Sequence, residues 1–310
     1  INEDGRVHLL AGAAEIGTGV HTTLSQICAE AIGVPLADVD YLSVDTDMGP
    51  FDSGAISDRT TVHLGSAVYA AAMDARRQIL EAAGELLEID PKDLDIVNGL
   101  ISPSGSPSKG ISIQQAVAYC HSKKGGPIIG RGRHLQEGLH PLDPETGQSP
   151  KAASHYKFGA QAVEVEVDPE TGRLTVLKVV SVHDCGRAIN PLHVEGQIEG
   201  AVAQGLGFAL YEEVKFDGGQ IVNPSLMEYG VPMSVDVPKI ESIILETGYP
   251  EGPFGAKGAG EPGIIGVAAA IGNALYDAVG VRVYDLPITW EKVLDAIGAG
   301  RRCSDETLAI

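Results

Sequence analysis

The 310-residue chain carries 42 acidic and 22 basic side chains, which gives a formal net charge of −20. Nucleic acids and anionic membranes are bound through basic surfaces, so this charge argues against both as non-specific partners. Hydrophobic residues make up 44% of the sequence, the share of a globular protein that buries a core. The length suits one large domain or two domains of ordinary size.

Cysteine and histidine are spaced without a metal-binding pattern. Cys28, Cys120, Cys185 and Cys303 include no C-x-x-C pair, and the nine histidines include no H-x-x-x-H pair. Scattered thiols are typical of a reducing compartment, so we expect a cytoplasmic protein. We also expect no membrane span and no secretory signal. Because Ile1 already lies in a strand-like pattern, we expect further sequence upstream.

The first elements predicted are a strand at Arg6–Ala14, the turn Glu15-Ile-Gly-Thr-Gly19, and a helix with an apolar face that begins at Val20. A Gly-x-Gly turn between a strand and a helix can present free N–H groups to a phosphate, although a plain connecting turn is commoner. A second strand is predicted at Val39–Val44. The long polar loop that follows it, Asp45–Thr61, either binds a ligand or is a solvated connection.

The middle of the chain contains an alanine-rich helix at about Val62–Leu87 and a hairpin at Asn98-Gly99. A short helix follows at Ile113–Tyr119. The polar stretch His121–Lys157 is either an excursion over a partner or a hinge between two halves.

The second half opens with a hairpin at Val163–Val176 and a helix at about Leu192–Tyr211. Four glycines in that helix predict very close packing, because each costs nearly 1 kcal/mol relative to alanine. The last helix is predicted to begin at Pro262 and to continue through apolar positions to Val279. Glu261, at its start, is either a helix cap or a chemical reagent.

These elements predict an α/β fold of mixed α+β type, with two similar-sized subdomains at 1–155 and 156–310. Each half brings glycine-rich turns to helix starts, at 15–19 and 53–61 in the first and at 186–204 and 252–263 in the second. One large anionic ligand between the halves would explain all four stretches.

Taken in order, the motifs resemble those of a known enzyme family. They are Glu15-Ile-Gly-Thr-Gly-Val-His-Thr22, Asp45-Thr46, the loop 50–61, Asp184 to Pro191, Gly196 to Gly200, and Gly255 to Glu261. Together they resemble the C-terminal part of the molybdenum-binding subunit of the xanthine oxidase family of molybdenum hydroxylases. The pattern looks most similar to the branch of 4-hydroxybenzoyl-CoA reductase and bacterial xanthine dehydrogenase.

This resemblance implies a molybdenum–molybdopterin cofactor between the two subdomains, in the cytosine dinucleotide form, without a direct protein ligand to the metal. By position, the residues lining the pterin and its phosphates would be Gly17, Thr18, Gly19, Ser57, Asp58, Thr60 and Thr61. Gln197 would hydrogen-bond the cofactor, Lys257 would lie beside it, and Glu261 would be the catalytic base. Thr18 and Asp58 depart from the glutamine and serine usual in the family, and an inward-pointing Asp58 would need a partner such as Arg59.

The resemblance also implies hydroxylation of an electron-poor carbon in an aromatic heterocycle or aldehyde, with water as the oxygen source. The implied partners are an N-terminal half of the molybdenum subunit, an iron–sulfur subunit and an FAD subunit. Three alternatives stay open: a non-catalytic cofactor-binding or scaffold subunit, a reductase of an aromatic CoA thioester, and, more remotely, a dinucleotide-binding protein of another family.

Overall fold

A computed structural model describes residues 1–42 and 45–307 and divides the chain into two compact units. Unit 1 consists of Ile1–Tyr156, Gly186–Asn190 and Gly248–Gly258, and unit 2 consists of Lys157–Cys185, Pro191–Thr247 and the chain from Ala259 onward. The units are therefore discontinuous in sequence, unlike the predicted ranges 1–155 and 156–310. That these ranges act as two cofactor-binding subdomains stays a prediction.

Unit 1 contains two small sheets and three α-helices among its described residues. In chain order its elements are β1 (Val7–Leu9), α1 (Val20–Ile32), β2 (Val39–Tyr41), α2 (Arg59–Leu87), β3 (Leu94–Val97), β4 (Leu100–Pro103), β5 (Ile111–Ser112) and α3 (Ile113–Tyr119). Strands β1 and β2 pair in parallel, and β3, β4 and β5 form an antiparallel sheet. The predicted second strand is shorter than expected, and its positions Ser43 and Val44 lie outside the described residues.

The core of unit 1 follows from the periodicity of its sequence. The predicted apolar face of α1 is buried at Val20, Leu24, Ile27 and Ala31. A 29-residue helix, α2, packs against it and begins at Arg59, three residues before the predicted start. The Asn98–Gly99 hairpin is confirmed: both residues have positive φ, at 49° and 77°, as a type I′ turn requires.

A segment within the predicted excursion His121–Lys157 runs along α2. Gly130 and Gly132 lie against backbone carbonyls of α2, and a Cβ on either glycine would overlap those oxygens. The contact is fixed by hydrogen bonds from the Arg131 N–H to Asp74 Oδ2 at 3.1 Å and from Gln78 Nε2 to the Ile129 carbonyl at 2.8 Å. These two glycines therefore set how closely the segment approaches the helix.

Unit 2 is built on a mixed three-stranded sheet. Its elements are β6 (Gly159–Val167), β7 (Leu174–Asp184), α4 (Pro191–Leu210), β8 (Phe216–Asp217), β9 (Gln220–Ile221), α5 (Leu226–Tyr229), β10 (Lys239–Leu245), α6 (Pro262–Ile265), α7 (Val267–Val279) and α8 (Trp290–Thr307). The order is β10-β7-β6, with β10 parallel and β6 antiparallel to β7. Together with unit 1, this confirms the mixed α/β fold and the predicted β6–β7 hairpin.

The helix predicted from Pro262 to Val279 is broken. Gly266 separates the four-residue α6 from α7, whose Val267, Ile271 and Leu275 are buried in the core of unit 2. By length and composition alone, Pro262–Val279 could cross a membrane, with a mean hydropathy of 1.3. This finding differs from the expectation that the chain has no membrane span. The core helix of a soluble protein passes the same test, so the finding is weak evidence for a membrane span.

Close packing of the glycine-rich α4 is confirmed for half of its glycines. A Cβ on Gly205 would lie 2.6 Å from Val267 Cβ, and one on Gly207 would overlap the Glu212 carboxylate. Gly196 and Gly200, in contrast, face open space among the described residues. The N-terminal half of α4 is therefore less closely packed within this chain than the sequence predicted.

Candidate functional site

The turn before α1 binds a carboxylate from its own chain. Glu15 Oε1 accepts hydrogen bonds from the N–H groups of Gly17 and Gly19 at 2.9 and 3.0 Å, and Glu15 Oε2 accepts one from His21 at 3.3 Å. Positive φ angles of 97° and 71° at the two glycines make this geometry possible. The N–H groups of Gly17 and Gly19, which were predicted as possible phosphate donors, thus donate to Glu15 instead. This is the arrangement of a plain strand-to-helix turn.

Two opposing effects act on the Glu15 carboxyl. Partial burial alone would raise its pKa, but the N–H groups of His21, Gly19 and Gly17 stabilise the ionised form and hold the pKa below its usual value. Glu15 is not among the predicted site residues. Its position at the start of a helix was a detectable signal, because helix N-termini attract negative charge.

Aromatic and polar contacts of His21 and Tyr41 hold the residues that flank this turn. The His21 ring stacks on the Tyr41 ring with centroids 4.1 Å apart, and His21 Nε2 lies 3.1 Å from the Ala13 carbonyl. The Tyr41 hydroxyl is 3.1 Å from both the Ala11 and the Ala13 carbonyl oxygens. Thr18 is half-buried and lies in a turn whose flanking residues Ala13 and His21 are held by these contacts.

The start of α2 is preceded by two residues with strained backbone. Ser57 and Asp58 have φ angles of 51° and 54°, a left-handed conformation that costs non-glycine residues about 1–3 kcal/mol each. Asp58 is the N-cap residue, but its side chain makes no capping hydrogen bond to α2, whose whole length is described. The first-turn N–H groups at Thr60 and Thr61 are therefore not capped by Asp58. Strain of this kind is often associated with ligand binding.

Arg59 forms an ion pair with the loop that precedes α2. Its Nη1 donates to the Asp52 carboxylate at 3.0 Å and to the Gly54 carbonyl at 3.1 Å. Both charged side chains are largely buried, so this ion pair ties the 52–54 turn to the start of α2. That an inward-pointing Asp58 would need a partner such as Arg59 stays a prediction.

A histidine one turn into α2 is kept neutral by its surroundings. Burial, followed by the Arg59 cation and then by His134, lowers the pKa of His63. The rings of His63 and His134 meet edge to face with centroids 5.6 Å apart. The start of α2 therefore brings together hydroxyl groups, N–H groups that the Asp58 side chain does not cap, and a neutral imidazole.

Two short segments from later in the chain complete this part of unit 1. A Cβ on Gly258 would overlap the Asp58 carbonyl and lie 2.6 Å from Asp58 Cβ, so the loop 248–258 touches the strained turn directly. Lys257 is only 8% exposed, and its Nζ donates to the Tyr156 carbonyl at 3.1 Å. A Cβ on Gly186 would similarly overlap the Gly255 carbonyl. Close backbone contacts thus bring Lys257 into the same unit as Ser57 and Asp58.

Unit 2 contains the other two predicted site residues. Glu261 is exposed within this chain and occupies the N-cap position of α6, yet its side chain accepts no hydrogen bond from the N–H groups of α6, all of which are described. Gln197 is half-buried on α4, next to the open glycines Gly196 and Gly200. The alternative that Glu261 is a conventional helix cap is therefore weakened.

The predicted site residues are consequently split between the units. Unit 1 holds Gly17, Thr18, Gly19, Ser57, Asp58, Thr60, Thr61 and Lys257, whereas unit 2 holds Gln197 and Glu261. Among the described residues, no group of three or more His, Cys, Asp or Glu side chains is arranged to hold a metal ion. The donor set at the start of α2 suits an anionic group such as a phosphate, because helix N-termini and hydroxyl groups both stabilise negative charge.

Comparison with known proteins gives a consistent result. Residues 1–238 match the model of the family described as molybdopterin cofactor-binding domain. The chain is 34% identical over 301 residues to a putative xanthine dehydrogenase molybdenum-binding subunit of Escherichia coli (strain K12), covering 95% of this chain and 38% of that protein. It is 35% identical over 297 residues to the 6-hydroxypseudooxynicotine dehydrogenase complex subunit gamma of Paenarthrobacter nicotinovorans, covering 94% of this chain and 36% of that subunit.

Solved structures agree with the sequence matches. The fold is similar to the crystal structure of quinoline 2-oxidoreductase from Pseudomonas putida 86, with a TM-score of 0.83 and 33% identity over 96% of this chain and 37% of that one. The chain thus spans little more than a third of the length of these relatives, whose remaining length forms further parts of the protein. The chain belongs to the molybdopterin cofactor-binding family, in the form found in the molybdenum-binding subunits of xanthine dehydrogenase-type oxidoreductases.

Proposed function

We propose that this chain is the cofactor-binding part of a molybdenum hydroxylase. The enzyme oxidises an electron-poor carbon of an aromatic heterocycle, aldehyde or related substrate, takes the product oxygen from water, and passes electrons to iron–sulfur and flavin centres on partner domains or subunits. Support comes from the family match and from relatives whose names refer to xanthine, a nicotine derivative and quinoline. The other partner is the remaining part of the molybdenum subunit, and the complex is cytoplasmic.

The proposed cofactor is molybdopterin in its cytosine dinucleotide form. Its phosphates and pterin are bound by Gly17, Thr18, Gly19, Ser57, Asp58, Thr60, Thr61, Gln197 and Lys257, drawn from the predicted subdomains 1–155 and 156–310. When bound, the molybdenum centre supplies the acidified water-derived oxygen and accepts the two electrons of the reaction. Support for a fit to unit 1 comes from the start of α2, where the Asp58 side chain does not cap the N–H groups and Thr60 and Thr61 supply hydroxyl groups.

Because the Glu15 carboxylate already engages Gly17, Gly19 and His21, the first turn is proposed to contribute mainly through Thr18. The threonine hydroxyl is shorter than the glutamine amide usual at this position. Shape and hydrogen bonding at the pterin are therefore proposed to differ from those of glutamine-containing relatives.

The observation that carries the catalytic proposal is the exposed position of Glu261 at the start of α6. A carboxylate at an N-cap position normally accepts a backbone hydrogen bond, and this one accepts none from its helix. The exposed carboxylate is proposed to take the proton that the attacking oxygen loses as it bonds to the substrate carbon. A positioned general base of this kind contributes about 10²–10⁴-fold to a reaction rate.

The test is Glu261→Gln in the assembled enzyme, with activity measured per molybdenum atom on xanthine, benzaldehyde and quinoline and a dye as electron acceptor. Glutamine keeps the size of the side chain but cannot accept the proton, so we expect a loss of about 10²–10⁴-fold with unchanged molybdenum content. Glu251→Gln is the matched control, because Glu251 lies in the adjacent loop and accepts a hydrogen bond from the Tyr249 hydroxyl at 2.8 Å.

A loss smaller than about tenfold, equivalent to about 1.4 kcal/mol in the barrier, would remove Glu261 from the role of base. Metal-loaded wild-type enzyme that turns over none of the three substrates would instead favour a non-catalytic cofactor-binding subunit. Turnover of an aromatic CoA thioester would favour the reductase alternative.

A further inference from the structure

We propose that Gln161 is a positioning residue for Glu261 and acts through the backbone of α6. The inference rests on the proposed function, because it gives Glu261 its role as base. Gln161 lies on β6 and is not among the predicted site residues.

The side-chain amide of Gln161 connects the sheet of unit 2 to the turn that carries Glu261. Its Nε2 donates to the Gly263 carbonyl at 2.6 Å and to Ser181 Oγ at 3.0 Å. Ser181 is the residue directly opposite Gln161 on β7, and its Oγ lies 2.9 Å from His183 Nε2. A continuous hydrogen-bonded chain therefore runs from His183 to the carbonyl two residues after Glu261.

The other end of the hydrogen-bonded chain, at Ser181 and His183, is held in place by burial. Ser181 is fully buried and His183 is 6% exposed. Burial lowers the pKa of His183, so its ring is neutral at neutral pH. The other ring nitrogen, Nδ1, has no hydrogen-bond partner in the described part of the chain and is close to Gly159, where a Cβ would overlap it.

The α6 end of the hydrogen-bonded chain depends on tertiary contacts because α6 is only four residues long. An isolated helical turn is unstable in water, so its geometry must come from tertiary contacts. Two further close contacts locate it: a Cβ on Gly263 would lie 2.7 Å from Ala201 Cβ, and one on Gly266 would lie 2.5 Å from Gln161 Oε1. Gln161 therefore contacts α6 at Gly263 and also at Gly266, where the helix breaks.

A general base must be held accurately, and a displacement of about 1 Å can cost about 10²-fold in rate. Without its donor, the Gly263 carbonyl loses a short hydrogen bond, and the preceding Glu261 is less well oriented. The effect should appear in kcat rather than in KM, since Gln161 acts on Glu261 and not on substrate binding.

The experiment compares Gln161→Met with wild type in the assembled, molybdenum-loaded enzyme. Methionine has a similar length but no N–H donor. We expect kcat to fall about 10- to 100-fold with little change in KM or metal content. Amide hydrogen exchange of the peptide 259–268 should become faster, a readout that does not depend on turnover.

The matched control is Ser242→Ala. Ser242 lies beside Ser181 on the neighbouring strand β10, and its buried hydroxyl has no hydrogen-bond partner among the described residues. We expect Ser242→Ala to leave kcat and exchange unchanged, whereas Ser181→Ala should shift both in the same direction as Gln161→Met. Ser181→Ala also serves if Gln161→Met does not fold.

A double-mutant cycle separates positioning from general destabilisation. In a Glu261→Gln background, Gln161→Met should cause no further loss of kcat, because the group it positions can no longer act. The proposal would be overturned if the two substitutions reduced kcat multiplicatively. It would also be overturned if Gln161→Met left the amide exchange of peptide 259–268 unchanged. If Glu261→Gln itself costs less than tenfold, the proposed base fails, while the exchange measurement still decides whether Gln161 holds α6.

Discussion

Replacing Gly258 by alanine tests whether the loop 248–258 really rests on the strained turn before α2. The new Cβ would overlap the Asp58 carbonyl and lie 2.6 Å from Asp58 Cβ, whereas ordinary carbon contacts are about 3.5–4.0 Å. Roughly 1 Å must therefore be opened between two backbone segments. Rotation of a flexible side chain cannot relieve the overlap, because the nearest atoms are the backbone and Cβ of Asp58.

Overpacking of this kind costs about 1–3 kcal/mol, and contact with the backbone places the expected loss in the upper half of that range. For a unit of this size the melting temperature falls about 2–4 °C per kcal/mol, so we expect a drop of roughly 4–12 °C in the transition of unit 1. Molybdenum content should fall as well, because the displaced residues Ser57 and Asp58 are proposed cofactor contacts.

Calorimetry of the purified protein measures the transition, and metal analysis measures the cofactor. Gly126→Ala is the control, since Gly126 also lacks a positive φ and a Cβ there meets nothing within 4 Å. It should change stability by no more than about 0.5 kcal/mol. If Gly258→Ala is as harmless as Gly126→Ala, the close contact with Asp58 does not exist in the protein.

Three further substitutions test a helix start and the packing of α4. Glu15→Gln should lower the free energy of unfolding at pH 7 by about 1 kcal/mol, a value discounted for solvent exposure. Because the folded-state pKa of Glu15 is depressed, the stabilisation is present above the unfolded-state pKa and is lost as the pH falls through the folded-state pKa. Gly205→Ala should destabilise unit 2 by about 1–3 kcal/mol by overlap with Val267, whereas Gly200→Ala, in open space on the same helix, should stabilise it by up to about 1 kcal/mol.

Urea unfolding measures both of these effects. A difference between wild type and Glu15→Gln that is as large at pH 3 as at pH 7 would show that charge is not the cause. Equal destabilisation by the two glycine substitutions would contradict the asymmetric packing of α4.

Local patterns in the sequence predicted those elements that depend on neighbouring residues. The spacing of Val20, Leu24 and Ile27 fixes the buried face of α1, and Asn98-Gly99 fixes its hairpin, because both structures are determined within a few residues. The break at Gly266 was missed for the opposite reason. Apolar spacing continues across it from Ile264 to Val267, and the close approach of Gln161 is a contact between residues about a hundred positions apart.

Sequence motifs predict which residues belong to the candidate site, but they do not predict how those residues are arranged in space. Nothing local to Gly258 shows that it touches Asp58, and nothing local to Arg59 shows that it pairs with Asp52, seven residues earlier. Both facts depend on backbone segments that meet only in the folded chain. Which residues of the two units contact the cofactor stays a prediction.

The discontinuity of unit 1 has a consequence for synthesis on the ribosome. Its last segment ends at Gly258, 102 residues after the first segment ends at Tyr156. At about 5–20 residues per second, roughly 5–20 s separate the emergence of these two ends. During that interval the nascent chain displays the Ser57–Asp58 turn without the loop that covers it. Unit 1 therefore cannot complete its native packing before most of unit 2 has been translated.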